Sequence, residues 1–140
     1  MSQEMSKEVS ERKPFRMGDF AGMRVFLSGP MSGVENYNAA AFAGAHAAIK
    51  LAGAECVYDP ALEWLMGDDV PDEAAHEAWM RTTVHELTRP IAFGEAESYY
   101  DVCVLLDGWR ESEGAQLEKV VADAAGIWCV AWEEVSHGEE

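Results

Sequence analysis

The chain has 140 residues, 49% of them hydrophobic, with 26 acidic and 10 basic residues and a formal net charge of −16. This length is typical of one domain with a sizeable core, and no apolar run approaches the roughly 20 residues needed to span a bilayer. The acidic excess argues against long nucleic acid as a partner, because binding it requires clustered cations. The N-terminus lacks the apolar segment of a secretory signal, so we expect a cytoplasmic protein.

The first part of the chain divides into an arm and a strand. Residues 1–22 are polar and lack periodicity, which predicts a disordered arm. The domain is expected to span residues 23–135, followed by a polar tail at 136–140. Its first element is the β-rich run MRVFLS (23–28), which ends in a turn at Gly29-Pro30.

A strand–helix–strand unit is predicted next. The alanine-rich segment 36–53 is helical by composition, with Asn36 or Asn38 as its cap and Gly53 at its end. One face of this helix carries the residues Phe42, Ala45, Ile49 and Ala52. The run AECVY (54–58) predicts a second strand that stops at Asp59-Pro60. Such units form parallel strand pairs.

The middle of the chain is less regular. Residues 61–71 are ambiguous, and we interpret them as a loop or lid. A helix is expected from Asp72 to about Leu87, with Met80, Val84 and Leu87 on one face. Residues 88–100 are predicted to be irregular.

The C-terminal part predicts a strand, a helix and a strand. The run DVCVLL (101–106) indicates a buried central strand. Ser112 is expected to cap a helix that Gly126 ends, and IWCVAW (127–132) is the last strand. The predicted core stripe of this helix consists of Leu117, Val120, Val121 and Ala124. The alternation predicts an α/β fold, a small open sandwich of the Rossmann or flavodoxin type. Its mostly parallel sheet has four or five strands, with helices on both faces.

Candidate site residues gather at one edge of this sheet, because ligands of open α/β sheets sit outside the carboxyl ends of the strands. Glu118 belongs to this edge, since helical side chains lean toward the helix N-terminus. Trp109 offers an aromatic surface on which a base could stack. The other candidates for substrate binding are Ser28, Gly29, Met31, Asp59, Ser112 and Gly114.

Each of these features also has a structural interpretation. The stretch SGPMSG can be a tight turn and is neither a dinucleotide fingerprint nor a phosphate-binding loop of the Walker type. Glu118 taken alone can be a solvated acid, and Asp59 can shape the turn at Pro60. The histidines and the three cysteines lack the spacing of metal ligands. We therefore expect neither a metal nor a cofactor.

Three stretches together resemble a known family. RVFLSGPMSG, YDPA and LLDGWRESEGAQLE, in this order, are similar to the nucleoside 2-deoxyribosyltransferase-like superfamily, in particular to its small phage-associated members of unassigned function. Those members typically read SGPMTG and GWxxSxGAxxE. The resemblance covers about residues 23–132.

The resemblance implies an enzyme that breaks an N-glycosidic bond of a nucleoside or nucleotide and passes the deoxyribose to water or another base. It assigns Glu118 as the nucleophile that attacks the anomeric carbon. Ser112, at a position where nucleotide hydrolases of the family carry a phosphate-binding serine, implies a deoxynucleoside 5′-monophosphate. The family also implies a homodimer or higher homo-oligomer.

Two positions depart from the family pattern. Phe26 stands where the family has a tyrosine near the nucleophile, and Thr83 stands where it has an aspartate that acts as acid/base or holds the sugar. An alternative function is therefore a catalytically weakened nucleotide-binding or sensing protein on the same fold. A third is an acidic interaction protein with a vestigial crevice.

Overall fold

The computed structural model describes residues 15–31, 34–62 and 72–135. Four strands form one parallel sheet in the order β2-β1-β3-β4. They are β1 (Arg24–Ser28), β2 (Cys56–Tyr58), β3 (Val102–Leu105) and β4 (Trp128–Ala131). The predicted α/β class and parallel sheet are confirmed.

Three α-helices cover the two faces of the sheet. They are α1 (Ala39–Leu51), α2 (Asp72–Leu87) and α3 (Glu113–Ala124). Successive strand residues point to opposite faces, so Val25 and Leu27 pack in the cluster that holds α1. Phe26 lies on the other face, in the cluster that includes Leu87 of α2 and Ala122 of α3. None of the helices within the described ranges is long and apolar enough to cross a membrane.

The strand order creates a divergence at the centre of the sheet. The chain passes from β1 to β2 on one side, and β3 then pairs with β1 on the other side. Connections leave β1 and β3 in different directions, which opens a crevice outside their carboxyl ends. The site begins there.

The ordered domain begins before Met23, which corrects the predicted arm over residues 1–22. Residues Met17–Phe20 form a 3-10 helix, and Phe15 and Phe20 are buried in the core with 5% and 0% exposure. The Phe15 ring meets that of Trp128 edge-on, with 5.0 Å between centroids. Two apolar side chains in a polar segment are enough to anchor it. Residues 1–14 and the polar tail lie outside the described residues.

Helix α1 shows the predicted inward face, since Phe42, Ala45 and Ile49 are buried. Asn38 occupies the N-cap position, but its backbone is left-handed at φ 64° and its side chain makes no capping hydrogen bond. The predicted helix over 72–87 is confirmed, and residues 88–100 are irregular apart from one bridge between Pro90 and Ser98. Of the segment interpreted as a lid, residues 63–71 lie outside the described ranges.

The predicted core stripe of α3 is wrong at Leu117, Val120 and Ala124, which are exposed, the first two by 47% and 62%. Its fourth residue, Val121, is half-buried and packs against the cluster of Phe26. The buried residues of the helix are Ala115, Glu118 and Ala122. The alanines allow the helix to lie close to the sheet, and this approach turns Glu118 inward with them. Leu117 and Val120 therefore lie on the outward face of α3, and the inward face carries the carboxylate.

Candidate active site

A cleft of about 630 Å³ lies at the divergence between β1 and β3. The loop after β1 contributes Gly29 and Met31 to its lining, and the region around the start of α3 contributes Ser112 and Gly114. Glu118, one turn into α3, opens into the same space. Five of the eight residues predicted from the sequence therefore line this cleft or its wall.

Two glycines allow the loops of the cleft floor to fit together. A Cβ atom on Gly29 would lie 2.9 Å from Cβ of Leu106, which is too close for an unshifted structure. Gly108 has a left-handed φ of +89°, and a Cβ there would lie 3.3 Å from Cγ of Pro30. The Gly-Pro turn after β1 and the Asp-Gly turn after β3 are thus in direct contact, which explains both motifs by close packing.

Ser28, at the end of β1, is hydrogen-bonded to the Glu118 carboxylate. Its Oγ donates a hydrogen bond to Oε1 of Glu118 at 2.5 Å, and Ser28 itself is fully buried. Ser28 is the last residue of β1 and faces the helices α2 and α3. Its predicted contact with substrate is replaced in this structure by a contact with the candidate nucleophile.

Thr83 of α2 is the second partner of the carboxylate. Its hydroxyl donates a hydrogen bond to the carbonyl oxygen of Met80 at 3.4 Å and interacts with the carboxyl group of Glu118. Thr83 is 1% exposed. Residue 83 therefore faces the candidate nucleophile, which is the position that the family resemblance assigns to an acid.

The surroundings of Glu118 act on its protonation in opposite directions. Glu118 is 7% exposed, and burial raises the pKa of its carboxyl group above the ordinary value. The hydrogen bonds from Ser28 and Thr83 lower that pKa, because they stabilise the ionised form. The group is thus a partly desolvated carboxylate that opens into a cleft, an environment common among catalytic acids and nucleophiles.

Ser112 caps α3, as predicted. Its Oγ accepts a hydrogen bond from the backbone N–H of Ala115 at 3.2 Å. The first N–H groups of a helix have no acceptor within the helix, so the cleft meets a helix N-terminus at Ser112 and Gly114. This end is suited to an anionic or electron-rich group of a ligand.

Acidic side chains surround this helix end, a feature that the motif analysis missed. Glu111 and Glu113 line the cleft on either side of Ser112. Neither Lys nor Arg belongs to the described lining. Arg110, the adjacent cation, forms an ion pair with Glu133 at 3.1 Å and lies over the ring of Trp109 at 4.7 Å. Glu111 and Glu113 stand in the motif itself, but only the fold shows that they share a cleft with Glu118.

Trp79 and Met80 of α2 complete an apolar wall opposite the start of α3. The sequence places them in the helix without indicating which face meets the ligand edge. Trp109, which we expected to provide the stacking surface, packs against the core cluster of Phe26 and Leu105 instead. Trp79 is the tryptophan that the described cleft offers to a planar group.

Asp59 is directed away from this cleft. Its Oδ2 lies 3.0 Å from Nδ1 of His46, and its Oδ1 accepts a hydrogen bond from the backbone N–H of Leu62 at 3.2 Å. It caps the helical stretch that begins at Pro60, and Pro60 also reaches the cleft lining. The structural interpretation of Asp59 fits these contacts.

Phe26 lies two residues before Ser28 in β1 and points to the same face of the sheet. Its ring stacks on Tyr58 with 5.0 Å between centroids and meets Tyr100 edge-on at 5.5 Å. Phe26 is fully buried. Residue 26, where the sequence resemblance leads us to expect a tyrosine, is therefore part of an aromatic core cluster.

Within residues 15–31, 34–62 and 72–135, no three His, Cys, Asp or Glu side chains converge as a metal site would require. The chemistry that this site can offer rests on one buried carboxylate, two hydroxyl groups that hold it, and a helix N-terminus.

The fold and the cleft define a small α/β protein with its candidate site at the divergence point of a parallel sheet. A family described as a domain of unknown function, DUF4406, matches residues 23–131, and the chain belongs to that family. No curated protein and no solved structure matches the chain significantly.

Proposed function

We propose that this protein cleaves the N-glycosidic bond of a nucleoside or nucleotide, or transfers its sugar to another base, with Glu118 as the nucleophile. The observation that carries the proposal is the placement of Glu118. It is 7% exposed, is held by Ser28 at 2.5 Å, and opens into a cleft at the divergence of β1 and β3.

The reaction begins with attack of a Glu118 carboxylate oxygen on the anomeric carbon. The bond to the base breaks, its electron pair passes to the base nitrogen, which takes up a proton from water, and a glycosyl ester forms on Glu118. Water or a second base then attacks the same carbon, loses one proton to solvent and releases the Glu118 carboxylate. Ser28 and Thr83 hold the carboxylate in one orientation during both steps, which favours attack along a single direction.

The cleft has the dimensions and polarity of a nucleoside site. A volume of about 630 Å³ falls within the range of small-molecule pockets, roughly 300–1,000 Å³. Trp79 and Met80 provide an apolar surface for the base. Ser112 and Gly114 at the N-terminus of α3 favour a phosphate or hydroxyl group at the sugar 5′ position, whereas the neighbouring Glu111 and Glu113 disfavour a doubly charged phosphate.

A base-release assay tests the proposal. Nucleosides and nucleoside 5′-monophosphates with ribose and deoxyribose are incubated with the protein, and free base is measured by chromatography. We expect base release from at least one compound, and a fall of about 10³-fold or more in the Glu118→Gln variant. Circular dichroism and thermal unfolding show whether that variant keeps its fold.

Two other results would decide against this function. Absence of free base from every compound would reject it. Nucleotide binding in calorimetry without any base release would support the sensing alternative, for which the hydroxyl of Thr83 in place of an acid is the specific observation.

We include self-association in the proposal. The apolar residues Leu117 and Val120 are exposed on one side of α3, and the family resemblance implies a homo-oligomer. Sedimentation velocity measures the oligomeric state directly. A monomer at all accessible concentrations would reject this part of the proposal without affecting the chemistry.

A further inference from the structure

We propose that Cys103 and Cys129 form a modification site, at which a small peroxide oxidises the two thiols to a reversible disulfide between β3 and β4. The two residues are partners in the register of these parallel strands. Neither belongs to the described lining of the cleft, and the oxidation does not depend on the proposed function.

The pairing of β3 with β4 brings the two cysteines side by side on one face of the sheet. Cys103 belongs to the cluster of Phe26 and Ala122, Cys129 packs against that cluster, and the two cysteine side chains interact directly. Neighbouring strands lie about 4.7–4.9 Å apart, within the span of about 4.4–6.8 Å that disulfides bridge between Cα atoms. A bond between the two sulfur atoms can therefore form without a change in strand pairing.

The two thiols differ in their access to solvent. Cys129 is half-buried and lies in β4, at the edge of the described sheet. Cys103 lies in the inner strand β3 and is fully buried. Contact with Cys129 and burial raise the pKa of the Cys103 thiol well above its ordinary value, and the thiolate rather than the thiol is the nucleophile. Cys129 is therefore the residue that reacts first with a peroxide from solvent.

Oxidation proceeds in two steps. Cys129 loses its proton to solvent, and its thiolate attacks one oxygen of the peroxide. The oxygen–oxygen bond breaks, a sulfenic acid forms on Cys129, and the leaving oxygen takes up a proton. The sulfur of Cys103 then attacks the sulfur of Cys129, the sulfur–oxygen bond breaks, and the proton of Cys103 leaves with the hydroxide as water. The two thiols together lose two electrons, which reduce the peroxide.

The resulting bond is expected to be readily reduced. Side chains that face each other across parallel strands start about one strand spacing apart, whereas the Cβ atoms of a relaxed disulfide lie about 3.8 Å apart. Drawing the two cysteines together strains the bond, and strained disulfides are the labile ones. A dithiol should therefore return the protein to its reduced form.

Cys56 provides a control within the same molecule. It is half-buried, like Cys129, and its sulfur lies 3.7 Å from the hydroxyl oxygen of Tyr99. It stands in β2, which β1 separates from β3. Oxidation at Cys56 is therefore not expected to produce a bridge within the sheet.

The test treats the reduced, folded protein with hydrogen peroxide and stops the reaction with catalase. The remaining thiols are alkylated in denaturant, and the protein is digested and mapped by mass spectrometry without reduction. We expect a peptide pair linked through Cys103 and Cys129, and a fall from the three free thiols of the reduced chain to one, that of Cys56. Dithiothreitol should restore all three.

Three variants separate the roles of the thiols. In Cys103→Ala the reaction should stop at the sulfenic acid, so dimedone should label Cys129 in this variant and not in the wild type. Cys129→Ala should form no bridge. Cys56→Ser should form the bridge as the wild type does. Circular dichroism checks the fold of each variant, and the mapping of the wild type decides the proposal even where Cys103→Ala fails to fold.

Several results would overturn the modification site. They are an oxidised product without the link between Cys103 and Cys129, a link through Cys56, and a bridge that forms only in unfolded protein. Base release plays no part in these measurements, so a failure of the proposed function and a failure of the thiol pair are seen separately.

Discussion

Two buried carboxylates lie near the carboxyl ends of the strands, one after β2 and one in helix α3, and they differ in what surrounds them. At the end of the edge strand β2, Asp59 is engaged by His46 and by the backbone of Leu62. At the divergence of β1 and β3, Glu118 is held by two hydroxyl groups and opens into a cleft. Both residues are 7% exposed.

The difference shows that burial at the ligand edge does not by itself indicate a site. Asp59 has a partner for each of its oxygens and a local structural task at the turn that follows. Glu118 combines burial with unfilled space, because the connections from β1 and β3 lead away from each other. The topology of the sheet, rather than the residue type, distinguishes the two carboxylates.

Among substitutions in the lining of the cleft, the largest loss of stability is expected from Gly29→Ala, because the added methyl group would disrupt the packing of the cleft floor. The added methyl group would lie 2.9 Å from Cβ of Leu106. Overpacking of this kind costs about 1–3 kcal/mol, so the free energy of unfolding in urea should fall by that amount.

Gly44→Ala is the matched control for that change. Gly44 lies within α1, and an added Cβ would meet no atom within 4 Å. Removing a glycine from a helix interior stabilises it by about 0.5–1 kcal/mol. Equal effects of the two variants would contradict the close contact at Gly29.

A second test removes the hydroxyl group that holds Glu118. In Ser28→Ala, loss of a hydrogen bond to a charged group costs about 1.5–3 kcal/mol where Glu118 is ionised, although relaxation of the partly open cleft should keep the cost near the lower end. The pKa of Glu118 should rise further above its ordinary value, since the hydroxyl of Ser28 lowers it in the wild type.

The sign of the pH dependence follows from this direction. Because the folded pKa of Glu118 is raised, its protonated form favours the fold. The associated stability is complete below the ordinary glutamate pKa and is lost as the pH rises through the folded pKa. In Ser28→Ala, the decline in the free energy of unfolding should extend to higher pH. In Ser28→Ala/Glu118→Gln, the decline should vanish, because residue 118 no longer titrates. In the pH profile of the base-release rate, the acidic limb should shift to higher pH in Ser28→Ala, together with the pKa of Glu118. An unshifted limb would show that Ser28 does not act through Glu118.

A smaller effect is expected at the end of β2. Asp59→Ala removes the cap of the helical stretch that begins at Pro60 and should cost about 1 kcal/mol. Asp59→Asn keeps an acceptor for the N–H of Leu62 and should cost less. Base release, measured at saturating substrate, should stay unchanged in both. A loss as deep as that of Glu118→Gln, with the fold intact, would place Asp59 in the active site.

The smallest effect is expected on the outer face of α3. Leu117→Gln and Val120→Gln change exposed side chains, so each should alter the stability of the monomer by less than about 0.5 kcal/mol. Ala122→Gln, on the inner face of the same helix, provides the contrast and should destabilise the domain severely. Urea unfolding at low protein concentration measures all three.

Most of the fold could be predicted from the sequence because its signals are local. The runs at 23–28 and 101–106 have the β-branched and aromatic content of buried strands, and Asp72 to Leu87 was predicted with the bounds that the structure shows. The inner face of α3 could not be predicted, because hydrophobic periodicity favoured Leu117 and Val120. The helix instead buries a row of small residues with Glu118 among them, which is the kind of local conflict that functional sites often contain.

The location of the site and five of its residues could be predicted from the sequence, whereas Asp59 and Trp109 do not belong to the described lining. The rule that ligands meet the carboxyl ends of strands selected Glu118, Gly29, Met31, Ser112 and Gly114, all of which line the cleft. It also selected Asp59 and Trp109, because it does not tell which strand ends diverge or which way a side chain turns. The packing of Trp109 into the core and the pairing of Asp59 with His46 depend on residues distant in sequence.

The hydrogen bond between Ser28 and Glu118 joins residues that are 90 positions apart. Its two ends come together only when β3 has paired with β1, a contact of long sequence separation that forms slowly in folding. A nascent or partly folded chain therefore has no assembled nucleophile, however much of its helix content is in place. If the proposed function holds, base release should appear during refolding together with the buried environment of Glu118, because both depend on the pairing of β3 with β1.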